Sequence, residues 1–192
     1  MGMIIKKTVY FEKPGRENTG DCVSVVKDAV KEYGYRHLVL ATTTGDTALA
    51  MGAALNAPDM NVVAVTHSAG FKEPNTMDLA HDIREQIIST GIKIFTGPML
   101  THSLETSLNH KFNGIYPTMI IGQSLKRFGE GSKVALEIVM MAADAGLIPE
   151  GEEVLAVAGT ARGADTVLLV RSAVSKRFLE LRVLEVLAKP RV

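Results

Sequence analysis

Leu38-Val39-Leu40-Ala41-Thr42-Thr43-Thr44-Gly45-Asp46-Thr47-Ala48 decides the fold. The run Leu38–Thr42 is continuously apolar rather than alternating, the sign of a strand covered on both faces. It ends in a Thr/Gly turn, and an Ala-rich helical pattern follows over 46–56, closed before Pro58. Val62–Thr66 is a second run of the same kind. Strand, loop, helix, strand is the unit of a parallel sheet.

The pattern extends both ways. Upstream, Thr8–Phe11 predicts a strand and 12–20 a loop. Cys22, Val25, Val26, Ala29, Val30 and Tyr33 then fall at three-and-four spacing on a helix over 21–33, stopped by Gly34. Downstream, Asn75–Thr90 predicts a helix capped by Asn75 or Thr76, with Leu79, Ala80, Ile83, Ile87 and Ile88 on its apolar face. Gly91 stops it, and Ile92–Thr96 resumes the sheet. Helical pieces at 102–109 and 116–128 flank Asn113-Gly114, and 132–146 is apolar all round, hence a buried helix. After a turn at Pro149-Glu150-Gly151, Val154–Ala158 and Thr166–Arg171 read as strands and Leu181–Ala188 as an edge strand. The expectation is a single α/β domain over 1–192: three layers, a mostly parallel sheet with helices on both faces.

Composition narrows the function classes. The chain has 192 residues, 46% hydrophobic and 22% charged, which is globular and not disordered. Lys plus Arg and Asp plus Glu both number 21, so the basic footprint of a nucleic-acid or anionic-membrane binder is absent. The single Cys22 rules out an intrachain disulfide, and no metal-ligand spacing is present. Without a signal-like or membrane-length apolar stretch, a cytoplasmic protein is expected.

The chemistry should lie at the carboxyl ends of the strands, where open parallel sheets bind ligands. Leu38–Thr42, Val62–Thr66, Ile92–Thr96 and Val154–Thr160 each finish in or beside a Thr. In Thr42, Thr43, Thr44, Gly45, Asp46 and Thr47, hydroxyls and a turn glycine precede a helix whose free amides and dipole favour a phosphate or carboxylate. A plain N-capped helix would read the same way. The loop is not a P-loop, because no Lys follows Gly45, and no dinucleotide glycine fingerprint occurs. A second glycine loop runs Gly159, Thr160, Ala161, Arg162, Gly163, Ala164, Asp165, Thr166, and Arg162 would supply the missing cation. Substituting Gly45 by a β-branched residue is expected to abolish binding and leave the fold largely intact.

Lys13–Thr19 also joins a strand to a helix, with Asn18 and Thr19 as expected caps. Thr66 and His67 end a strand, and Phe71 offers a nearby stacking surface. Glu137 and Asp144 lie seven residues apart on the buried helix, either as an acid–base pair or hydrogen-bonded to loop amides. Cys22 reads as a small core residue. No Gly-x-Ser-x-Gly elbow supports a serine hydrolase.

The stretches Leu38–Ala48 and Val62–Thr66, with Gly146–Gly151 and the loop Gly159–Thr166, resemble the C-terminal α/β domain of pyruvate kinase. Similarity over nearly the whole chain extends to stand-alone, mainly archaeal proteins of this domain, through Tyr10–Thr19, Gly45–Ala48, Glu137-Ile138 with Met141–Asp144, and Arg162–Thr166. The resemblance implies that the two glycine loops hold a phosphorylated effector, as they do in pyruvate kinase, and makes flavin mononucleotide the leading ligand. The catalytic barrel of that enzyme takes roughly 250 residues, so pyruvate kinase activity is not expected here. The expected function is binding of a phosphorylated small molecule. The alternatives are an enzyme of flavin-dependent redox or phosphate-ester chemistry in the same pocket, or a homo-oligomeric assembly subunit using an apolar edge at Leu181–Leu187.

Overall fold

The computed structural model describes residues 2–55 and 59–191, so the predicted helix end at 56 and its stop at Pro58 lie outside the described residues. β1 (Val9–Phe11) passes through a 3₁₀ turn into α1 (Thr19–Tyr33). β2 (His37–Ala41), α2 (Asp46–Ala54), β3 (Asn61–Thr66), α3 (His81–Ser89) and β4 (Lys93–Thr96) follow. Three helices come next, α4 (Leu104–Phe112), α5 (Pro117–Leu125) and α6 (Glu130–Asp144). The chain closes with β5 (Glu153–Ala158), β6 (Thr166–Arg171) and β7 (Arg182–Pro190).

These strands form one seven-stranded sheet in the order β1-β7-β6-β5-β2-β3-β4. It is mostly parallel. Only β6 runs against its neighbours, because the short loop after β5 can reverse the chain but cannot cross over a layer. Alternation along the strands divides the core in two. Leu38, Leu40, Leu155 and Val157 face α1, α2 and α3, through Cys22, Val26, Met51 and Ile87. Val39, Val63, Ala156 and Leu168 face the opposite way, onto α6. Three layers result, as the apolar runs of the sequence require. Buried among them, Cys22 is a core residue whose thiol is pushed up to about 12, mainly by burial and then by the charges of Asp165 and Asp21. Among the described residues, no helix is long and apolar enough to cross a membrane.

Two elements differ from the sequence reading. The helix expected from Asn75 begins only at His81, and Ala80, not Asn75 or Thr76, sits at its N-cap. Asn75 has a left-handed φ of 62°, and the Gly70 amide donates to the Thr76 carbonyl, so 70–76 closes on itself as a loop. Asp78 is drawn to His67 and Lys72, and Leu79 enters the core from irregular backbone. The second difference concerns β7, which is an edge strand only as far as Leu187. Three-residue β1 covers the rest of its outer side, pairing Val9 with Ala188 and Phe11 with Pro190. The β1 ladder lies beyond Leu181–Leu187, where, among the described residues, the approach of the upstream chain is limited to the Thr8 hydroxyl donating to the Val186 carbonyl and the Lys6–Glu185 ion pair.

Gly131 supplies a test of how closely α6 meets the sheet. Alanine improves a helix over glycine by about 1 kcal/mol, so helix propensity alone predicts a gain. A methyl at this position would lie 2.7 Å from Thr166 Cβ and 2.9 Å from Asp165 Oδ1. Gly131→Ala should instead lose about 1–3 kcal/mol from overpacking, measured by urea unfolding.

Candidate functional site

From β2 the chain advances to β3 and β4 in one direction, then resumes at β5 on the other side of β2. That reversal creates a switch point at the carboxyl ends of β2 and β5, where open α/β sheets have their crevice. A cavity of about 260 Å³ opens there. Four segments converge on it: Thr42–Thr44 and Asp46 after β2, Thr66, His67 and Phe71 after β3, Met99 and His102 after β4, and Gly159, Arg162 and Gly163 after β5. The opposite wall is α6, with Lys133, Val134, Glu137, Ile138 and Met141.

The Thr42 amide continues the ladder by donating to the Val65 carbonyl at 2.9 Å, which pins the loop's start. Its side chain is 5% exposed, and its hydroxyl has no hydrogen-bond partner among the described residues. The first turn of α2 begins at Gly45 with no side-chain cap, so the free amides of that turn remain. Thr44 donates to Asp46 at 3.3 Å. Thr66 is occupied, its hydroxyl 2.8 Å from that of Thr96. His67 Nδ1 lies 2.7 Å from Asp78 Oδ2, and its ring meets Phe71 at a centroid distance of 4.1 Å. Asp78 lies below the ordinary carboxylate range: burial opposes this, but the hydrogen bonds and charges of Lys72 and His67 prevail.

Several residues expected at the site are structural. Gly45 has φ 101°, and a Cβ there would lie 3.3 Å from Leu79 and Ile87 and closer still to Ile83. It packs α2 against α3, so replacing it would disrupt the fold and not binding alone, contrary to expectation. Thr47 is buried beneath the loop, outside the cavity wall. Asp165, 0% exposed, accepts from the Gly15 amide, the Thr160 amide and the Thr166 hydroxyl. Ala164 donates its amide to Thr19 Oγ1 at 3.0 Å. Gly163 lies so close to Arg16 and Thr19 that a Cβ would clash with them. Asn18 holds the N-cap position of α1 without a capping bond and donates instead to the Lys13 and Gly15 carbonyls of its own loop, while Thr19 donates to the Arg16 carbonyl and, through Ala164, ties the two loops. Ala164, Asp165 and Thr166 hold Arg162 in place without lining the cavity.

Glu137 and Asp144 do not act together. Asp144 is outside the cavity and accepts from the Ser175 amide at 2.8 Å. Glu137, 3% exposed, accepts from the Thr101 amide and hydroxyl, both at 2.7 Å, and from Lys133 at 2.6 Å. Burial pushes its carboxyl up, yet the Lys133 charge and the Lys133 and Thr101 hydrogen bonds hold it below its ordinary 4.5. A carboxylate so occupied is a poor general base. Lys133 and His102 are the site residues that the sequence reading missed. The signal for Lys133 was its place four residues before Glu137 in an otherwise apolar helix; His102 lacked one.

The buried pair makes a prediction of definite sign. Lys133→Met leaves a buried carboxylate unpaired and should cost about 3–5 kcal/mol. Adding Glu137→Leu should restore most but not all of this, since Thr101 then loses its acceptor. Because the Glu137 carboxyl is depressed in the folded state, its contribution is present above pH 4.5 and is lost as pH falls through the folded value. Urea unfolding between neutral pH and pH 3 should show an acid limb in the wild type that the double variant has largely lost.

Once fold and site are described, comparison with known families is direct. The family model for "Pyruvate kinase, alpha/beta domain" matches residues 21–170, from the first turns of α1 through nearly all of β6, with every rim loop described above except the one after β1. The chain belongs to the pyruvate kinase alpha/beta domain family.

Proposed function

We propose that this chain binds a phosphorylated small molecule at the carboxyl rim of its sheet. The observation that carries the reading is the Thr42 hydroxyl, buried at the cavity wall without a partner. A buried donor left unsatisfied costs about 1–3 kcal/mol, and a ligand oxygen would satisfy it. The uncapped first turn of α2 adds amides and a positive dipole end beside it. Arg162, which joins no ion pair among the described residues, adds a planar cation from the facing loop.

Flavin mononucleotide fits these residues. Thr42–Thr44, the α2 amides and Arg162 would take its phosphate, and the exposed face of Phe71, backed by His67, would take the flat ring. At about 260 Å³ the cavity encloses the phosphate and sugar-sized part, leaving the ring at the mouth. A sugar phosphate uses the same grip without the ring contact.

Two measurements test the reading. An absorption spectrum of freshly purified protein, with mass spectrometry of what acid releases, should identify a phosphorylated compound, yellow if it is the flavin. Thr42→Val should keep or raise stability, by about 1 kcal/mol, while weakening flavin mononucleotide or inorganic phosphate about tenfold, a 1.4 kcal/mol loss. Arg162→Met should weaken both with stability unchanged. Failure of the wild type to bind either probe at millimolar concentration would refute the proposal, as would unchanged affinity in both variants.

A further inference from the structure

The α6 wall holds a hydrogen-bond arrangement whose proton positions follow from the charge beside His102. Glu137 is ionised and only accepts. Thr101 Oγ1 has one proton, directed to Glu137 Oε1 at 2.7 Å, so it has none to give to His102 Nδ1 at 3.0 Å. Lys133 Nζ has protons and no lone pair in its charged form, and it lies 3.2 Å from the same Nδ1. Thr101 Oγ1 could still accept from an Nδ1–H, but that proton would face the Lys133 ammonium at 3.2 Å. The positive charge favours a lone pair there, so Nδ1 accepts from Lys133 and carries no proton. His102 is neutral, with its proton on Nε2, which has no hydrogen-bond partner among the described residues, on an exposed ring that lines the cavity. The lowered ionisation of His102, from burial and then the Lys133 charge, agrees with that state.

The charge of this wall is cancelled. Lys126 pairs with Glu130 at 3.0 Å and Lys133 with Glu137 at 2.6 Å, each one helical turn on. A second anionic group would meet no free cation here, whereas Arg162 across the cavity is free. A neutral acceptor would meet a fixed N–H.

Resting on the phosphate-binding reading, we propose that His102, held by Lys133, is a carbonyl-recognition subsite. The ligand is a monophosphate ester whose far end presents an uncharged carbonyl oxygen to His102 Nε2–H. Both open-chain sugar phosphates and the ring carbonyls of a flavin have this chemistry.

Calorimetric titration separates the sources. Dihydroxyacetone phosphate should bind the wild type more tightly than glycerol 3-phosphate, which has the same phosphate and no carbonyl. His102→Phe should weaken dihydroxyacetone phosphate, or flavin mononucleotide if the carbonyl is a ring one, by about fivefold to tenfold. It should leave glycerol 3-phosphate within about twofold, and His102→Gln, which keeps a donor, should recover the loss. Long-range proton–nitrogen NMR at pH 7.5 should show His102 protonated at Nε2 only. If Arg162→Met loses glycerol 3-phosphate while His102→Phe changes neither carbonyl probe, the phosphate site stands and the subsite is refuted. Protonation at Nδ1 also refutes it, and a wild type that binds no phosphate probe removes both readings.

Discussion

A lysine buried in a helix must keep its counter-charge, and Lys133 keeps it one turn away on Glu137. The pair lies in α6, the helix that alone supplies most of the second face of the sheet. Exchanging such a pair for apolar side chains of similar volume is often neutral or stabilising, while removing one partner is costly. The pair is therefore weak as a stability device. Its effects lie in what it fixes: the Thr101 amide, the tautomer of His102 and the charge balance of a cavity wall. Each shapes the cavity wall and not the core.

The opposite wall follows a different logic. Asp165 is fully buried and accepts from two loop amides and a hydroxyl, so its charge is satisfied by the chain itself. It ties the loop after β1 to the loop after β5, and Gly163 allows the two backbones to touch. What remains unsatisfied at the rim is the Thr42 hydroxyl and the first turn of α2. Elsewhere among the described residues the buried polar side chains are answered by the chain; here a donor is left open beside a cavity.

The sheet was legible in the sequence because strands buried on both faces read as apolar runs, and Leu38–Thr42, Val62–Thr66 and Val154–Ala158 do. The pocket was legible because the parallel order puts their ends on one rim. The elements that were not legible depend on contacts distant in sequence. Nothing near Asn75 announces that Asp78 will be pulled to His67, and nothing near Ala188 announces that Val9–Phe11, far upstream, will pair with the end of β7. Gly45 and Asp165 were recognised as special for the wrong reason. A glycine that admits a phosphate and a glycine that admits Leu79 and Ile83 look alike until packing is known.

That ambiguity bears on how sites in such loops should be assigned. Gly45, Gly163, Asp165 and Thr19 belong to the loop fabric, and their hydrogen bonds and close approaches are complete within the chain. Among the described residues, those with unused capacity at the cavity include Thr42, Arg162 and the proposed Nε2–H of His102, on the segments after β2, β5 and β4. A motif marks where a loop must take a special path. Unused hydrogen-bonding capacity marks what that path leaves for another molecule. On this criterion the proposed ligand would be met at two ends of different character, an anionic one by Thr42 and Arg162 and a neutral one by His102. The cancelled charges of Lys126, Glu130, Lys133 and Glu137 keep those ends distinct.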